Sequence, residues 1–242
     1  MFERHRYPRV IILQAVYFKL RFTLSYRDVE ELMEIRGVKV DHATIQRWVF
    51  KFTPILDKEF RKRKKRVGMS WRMDETYIKV KGEWRYLYRA VDKQGNTVDF
   101  LLTKRRQRMS AQSFLIKAIE HNGKPRVINI DKSGSNSSAI RVYNKRALAT
   151  KSRIRIRKCK YLNNIVEQDH RFIKWRIQQG LGFKEFESAR RTLSGIEVVR
   201  MIKKNQLIGH DLISSHNVEF KKKKKGQPLK KRSYPLMRRE GG

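Results

Sequence analysis

The sequence predicts a mixed α/β domain behind a short all-helical domain. Two observations predict it. Apolar residues recur at helical spacing from about residue 9 to 57. From Trp71 onward the texture changes to strand-like runs that alternate with helical ones. Interleaved strands and helices imply a sheet with helices packed against it. The 242 residues leave room for one substantial core and a small accessory domain.

In the first helix Val10, Leu13, Val16, Tyr17 and Leu20 fall near one face. Ser25 opens a second helix, SYRDVEELMEIRG, and Asp28 stands three residues on, where a capping box places its acid. Val29, Leu32 and Met33 form its apolar face, and Gly37 suits its end. A third helix follows in VKVDHATIQRWVFKF, capped by Asp41 and carrying Thr44, Gln46 and Arg47. Short helices joined by a tight glycine-containing turn are the pattern of a helix-turn-helix. A small bundle serving only for packing or dimerisation is the plainer reading. Residues 61–66, RKRKKR, repel one another and suit an interdomain linker or a DNA-tracking segment.

SWRMDETYIKV, EWRYLYRAVD and NTVDFLLTKR read as three strands, with Gly95 of DKQGN free to take positive φ between the last two. SAQSFLIKAIEH (110–121) is a capped amphipathic helix stopped by Asn122, Gly123 and Pro125. RVINID (126–131) is short and apolar, as a buried strand is. A Ser-rich stretch and a helical segment follow, then SRIRIRK (152–158) alternates strictly. A long helix is expected over 161–178, broken by Gly180 and Gly182, and another from about 185 to 207. The domain boundaries are 1–60 (helix-turn-helix), 61–70 (basic linker), 71–210 (α/β domain) and 211–242 (basic tail). Residues 221–242 contain ten Lys or Arg and two Pro, a composition expected to stay disordered without a partner.

Charge narrows the partners. Lys and Arg number 59 against 23 Asp and Glu, a formal +36. Such an excess seeks a polyanion, and nucleic acid is the leading one; it also favours the DNA-reading version of the helical domain. No run of about eighteen apolar residues exists to span a bilayer, and the N-terminus lacks the pattern of a signal peptide. The single Cys159 excludes an intramolecular disulfide and a multi-cysteine zinc site. A reducing, cytoplasmic setting follows as the expectation.

Three strings carry candidate chemistry: RMDETYI around Asp74, VINIDKSGSN around Asp131 and NNIVEQDHRFIK around Glu167. Carboxylates from separate elements can hold divalent cations, which prefer oxygen ligands, and a pair of such ions serves phosphodiester chemistry. Alternation along the first strand sends Asp74 and Glu75 to opposite faces, with Arg72, Asp74 and Thr76 together. Asp131 ends its strand, where sheets place ligands. Lys174 is seven residues past Glu167 and nearly in line with it on the helix, flanked by Asn163 and Arg171. The plain alternatives are an i,i+4 surface pair for Glu167 and Arg171 and a turn-forming role for Asp131. Asp92 and Asp99 are two further acids on the hairpin. Trp84, Tyr86 and Tyr88 alternate on one face and suit sheet packing, Trp48 suits the helical core, and His170 is not expected to be a ligand.

From Arg9 to about Leu207, over four fifths of the chain, the sequence resembles the bacterial insertion-sequence DDE transposases of the IS-six family. The matching strings are LSYRDVEELM, VDHATIQRWV, WRMDETYIKVKGEWRYLYRAVD, VINIDKSGSN, KYLNNIVEQDHRFIKWR and SARRTLSGIEVVRMIKKNQ. The 35 residues between Asp131 and Glu167 match the usual spacing of that family, and Lys174 sits where its members carry a basic residue. The resemblance implies an RNase H-like (retroviral-integrase-type) catalytic domain behind a helix-turn-helix. It implies that Asp74, Asp131 and Glu167 hold two Mg²⁺ ions, with Mn²⁺ as a substitute. The expected activity is cleavage at terminal inverted repeats of double-stranded DNA and transfer of the freed 3′-hydroxyl to a target. Thr44, Gln46, Arg47, Arg171 and Lys174 are the expected DNA contacts, and a homodimer or higher oligomer would hold two element ends.

Two other readings compete. One is an inactive relic that binds DNA through the helix-turn-helix alone. The other is a structural RNA-binding protein, which leaves the three carboxylate strings without a role. The lysine-rich tail departs from the family pattern past about residue 210 and is expected to be dispensable for folding, adding only non-specific DNA affinity.

Overall fold

The structure, a computed structural model, describes residues 6–131, 134–146, 153–179 and 182–208. The expected basic tail, 211–242, lies outside the described residues.

Three helices come first: α1 (Arg9–Arg21), α2 (Tyr26–Ile35) and α3 (His42–Lys62). The capping box of α2 is complete. The Asp28 amide donates to Ser25 Oγ at 3.0 Å, and the Ser25 amide donates to Asp28 Oδ2 at 2.7 Å. Asp41 caps α3 by accepting from the Thr44 amide at 2.9 Å. Gly37 leaves α2 at φ 77°, a left-handed conformation that costs glycine little. Ile12, Ala15, Val16 and Leu20 form the inner face of α1 and pack with Val29, Met33, Ile45, Trp48, Val49 and Phe52. Val10, expected on that face, is 72% exposed, because it lies about 200° round the helix from Ile12. Trp48 is core, with Tyr7 edge-on at 5.2 Å.

α3 runs through Pro54 and into the basic run. That run is partly turned inward. Arg61 pairs with Asp57 and Asp99, Lys64 donates to the Val98 carbonyl and to Asn122, and the Lys65 amide donates to the Gln206 carbonyl at 2.7 Å.

The sheet has five strands: β1 (Ser70–Val80), β2 (Glu83–Asp92), β3 (Thr97–Thr103), β4 (Val127–Ile130) and β5 (Arg155–Lys158). Their order is β3-β2-β1-β4-β5; β1 to β3 pair antiparallel, while β4 pairs parallel with β1 and with β5. Asp92 organises the β2–β3 turn by accepting from the Gln94 and Asn96 amides, both at 2.9 Å, and Gly95 there has φ 82°.

Helices cover both faces. α4 (Arg108–Asn122) and α5 (Gly134–Arg146) lie on one. There Trp71, Met73, Tyr88, Ala90, Ile128 and Ile130 meet Phe114, Leu115 and Ile140. α4 begins two residues before the expected Ser110, with Gln107 as its cap residue, and the Ser110 hydroxyl donates to the Arg105 carbonyl instead. On the other face lie α6 (Asn164–Gln179), entered through a 3₁₀ turn at Lys160–Asn163, and α7 (Phe186–Lys203). There Ile78, Val80, Leu87, Phe100 and Leu102 meet Ile173, Ala189 and Leu193. α7 also packs on the N-terminal helices: Val199 joins their core, and Gly195 lies so close that a Cβ would stand 2.5 Å from Leu20 Cδ2.

Candidate active site

Strand register assembles the first two acids. In the parallel β1–β4 pair Arg72 is level with Asn129. Carried two residues on, the register sets Asp74 level with Asp131 at the carboxyl end of β4. Side chains two apart on a strand share a face, so Arg72, Asp74, Asn129 and Asp131 all point to the α6 side. Glu75 points the opposite way, as alternation requires. It accepts from Arg106 and from Asn136 of α5, each at 2.6 Å.

Three contacts hold α6, and with it Glu167, against this sheet end. Asn129 Nδ2 donates to Asn163 Oδ1 at 2.6 Å and to the Cys159 carbonyl at 2.9 Å. This ties the entrance of α6 to the strand that ends in Asp131. One turn past Glu167, His170 Nε2 stands 3.4 Å from Asp74 Oδ2. The His170 ring is buried and neither nitrogen completes a hydrogen bond. Burial pushes its imidazole below the ordinary range, with Asp74 pulling the other way. Finally Arg89, opposite Asp74 in the β1–β2 register, reaches Asp169 at 2.9 Å and Glu197 of α7. Arg200 and Lys204 also pair with Asp169, and Gln206 Oε1 accepts from the Thr97 amide at 2.9 Å. Buried charges so paired fix the relative placement of β2, α6 and α7, because stranding any one of them costs about 3–5 kcal/mol.

Asp74, Asp131 and Glu167 are each half-buried. Among the described residues no three His, Cys, Asp or Glu side chains stand close enough to enclose a single ion. Register and helix face thus bring the acids to one sheet end, with their carboxyl groups still apart. The donor set suits a hard divalent cation nonetheless. It is made of carboxylate oxygens on three elements, beside a buried imidazole left without hydrogen bonds.

The other expected site residues divide. Lys174 shares the face of Glu167 and lies 5.5 Å over the Tyr77 ring, while Arg171 is exposed. No ion pair joins Arg171 to Glu167. Gln46 and Arg47 are exposed on the first turns of α3. The Thr44 hydroxyl donates to Asp41 at 2.6 Å and accepts from Arg47 at 3.0 Å. Asp99 is structural, held by Arg61, Lys117 and His121. Trp84, expected in sheet packing, is 55% exposed at the β1–β2 tip, edge-on to Tyr77 and under Lys79; Tyr88 alone of its stripe is fully buried.

Sequence reasoning missed Asn129, the approach of His170 to Asp74 and the Arg89–Asp169–Glu197 cluster. Two of these had a signal. Asn129 is two residues before Asp131 and so shares its face, and Arg89 is a lone charge inside the apolar run YLYRAV.

Known proteins resemble this chain along most of its length. A family model for the DDE domain of IS240-type transposases matches residues 68–206. The transposase for insertion sequence-like element IS431mec of Staphylococcus aureus is 41% identical over 206 residues, covering 85% of this chain and 90% of that protein. The transposase for IS257 in transposon Tn4003, also from Staphylococcus aureus, matches at the same identity and coverage. Among solved structures, the catalytic core of HTLV-2 integrase with magnesium aligns with TM-score 0.39 and 19% identity, over 55% of this chain and 86% of that one. The catalytic core of BIV integrase aligns with TM-score 0.41 and 20% identity, over 65% and 98%.

Proposed function

The chain belongs to the insertion-sequence DDE transposases of the IS-six family, and we propose that it binds the terminal inverted repeats of its element and carries out metal-dependent cleavage and strand transfer with Asp74, Asp131 and Glu167. Its α/β layer is of the RNase H-like type. The observation that carries the reading is the β1–β4 register, which sets Asp74 level with Asp131 on the face where α6 presents Glu167.

Asp74 and Asp131 supply oxygen ligands from adjacent strands, and Glu167 completes the set from the helix. Mg²⁺, or Mn²⁺ in its place, would when bound make the attacking oxygen a better nucleophile and screen charge on the leaving one. Asn163 and His170 keep α6 seated so that Glu167 meets the two aspartates. Arg171 and Lys174, on the same helix face, take the phosphates flanking the cleaved bond. Water is the first attacking group and the freed 3′-hydroxyl the second, so no Ser or Tyr nucleophile is needed. Gln46 and Arg47 contact the duplex from α3, and Thr44 orients Arg47. Two element ends must be held together, so the working form is a dimer or higher oligomer acting on DNA in the cytoplasm.

The test is strand transfer by the purified chain on terminal-repeat DNA with Mg²⁺. Asp131→Asn and Glu167→Gln are expected to fall to background while keeping the wild-type thermal midpoint. Wild-type activity in either variant would sink the triad assignment.

A further inference from the structure

A concavity lies on another flank of α6, toward its C-terminal end. It has a volume of about 610 Å³ and is lined by Phe22, Leu32, Phe172 and Trp175 together with Arg21, Arg176 and Lys203. Pockets of this size hold small organic ligands. Its lining contains no carboxylate. The cations therefore crowd one another: burial, then Arg21, Arg176 and Arg200, pull the Lys203 ammonium below its ordinary range. Arg200 pairs with Asp169; among the described residues Lys203 has no such partner. An anion entering here would relieve the repulsion.

The walls are aromatic and open. Trp175 is 52% exposed and Phe22 45%, unlike the buried Trp48 and Trp71. Phe172 forms the back, covered by Arg176 at 5.0 Å and Arg200 at 4.4 Å. Flat exposed rings beside cations are the elements of a stacking platform for unpaired bases. Paired bases in a duplex keep their faces stacked and cannot use one.

Position matters as well. Trp175 is eight residues beyond Glu167 on the same helix, about 12 Å along the axis and about 80° round it. A strand leaving the catalytic face can reach the pocket within a few nucleotides at about 3.4 Å each. A second copy of this chain is the rival occupant, but its own +36 charge opposes approach to a cationic pocket.

We propose that this pocket binds one unpaired nucleotide of a DNA strand beside the cleaved end, its phosphate on Arg21, Arg176 and Lys203 and its base against Trp175. The proposal rests on the transposase reading above. It is tested by equilibrium binding of the full-length chain to terminal-repeat duplexes, one blunt and one with an unpaired extension on one strand.

The wild type is expected to prefer the extended duplex by roughly tenfold. Trp175→Ala should remove that preference and leave blunt-duplex affinity and the thermal midpoint unchanged, while Trp175→Phe keeps most of it. Lys203→Gln should weaken the extended duplex and flatten its salt dependence by about one unit of slope. A 5-iodouracil in the extension should cross-link to the peptide containing Trp175. Equal binding of both duplexes by the wild type overturns the pocket assignment and spares the transposase reading. Equal loss on both duplexes in Trp175→Ala overturns it too, as does a change of oligomeric state, which would give the surface to a second copy. Failure to bind either duplex overturns both readings.

Discussion

Single residues decide whether three acids make a site. Asn163 is the example, since its carbonyl oxygen accepts from Asn129 at 2.6 Å in a buried setting. Removing it leaves one buried N–H of the Asn129 amide unpaired, the other still held by the Cys159 carbonyl, a loss of about 1–3 kcal/mol. It also frees the entrance of α6, and if Asp131 and Glu167 hold metal as proposed, such a support is worth about 10–100-fold in activity. Asn163→Ala should therefore lose both, measured by thermal unfolding and by single-turnover cleavage. Stability loss with full cleavage would show that the bond only packs. Asp99 governs stability against acid. Burial alone would raise its carboxyl, but His121, Arg61, Lys117 and the Phe100 amide outweigh burial and hold it far below the ordinary range. With the folded value depressed, its contribution is present above the unfolded value of about 3.9 and is lost as pH falls from there. The urea midpoint should fall progressively as pH drops below about 4, and Asp99→Asn should shrink that fall. An unchanged drop would remove Asp99 from the account.

At the scale of elements, α6 and α7 do different work. α6 divides its turns between the proposed chemistry and anchorage: Glu167, Arg171 and Lys174 on one side, Asp169 and Ile173 on the sheet side. α7 joins the α/β layer to the N-terminal helices, packing closely on Leu20 and Thr53 at Gly195. A methyl there would meet Leu20 Cδ2 at 2.5 Å and Thr53 Cγ2 at 2.9 Å, both on buried side chains. Gly195→Ala should thus cost about 1–3 kcal/mol through overpacking, read as a lower denaturant midpoint at unchanged slope. A neutral result would mean that α7 rides loosely on α1 and α3. A separate contact keeps the basic run 61–66 from being a free tether: α3 carries Arg61 directly onto Asp99 of β3.

The whole molecule is defined by its charge. At +36, DNA affinity should fall steeply with salt, by about 0.9 log units per log unit for each phosphate neutralised. Truncation after residue 213 should flatten that slope and leave specific cleavage intact; equal slopes would deny the tail any part in binding. By itself the sequence determined the order of helices and strands, the caps at Ser25 and Asp41, the opposed faces of Asp74 and Glu75, and the family. These follow from local periodicity, capping chemistry and long shared strings, all of which are written within a few residues. It could not determine which strand lies beside β1, and so could not bring Asp74 level with Asp131. Nor could it find the Asn129–Asn163 tie, the Arg89 cluster or the cationic pocket under Trp175. Each of these joins residues 34 or more apart in sequence. Such partners are chosen by burial and charge compensation across packed layers, which exist only once the sheet and its helices have closed on one another.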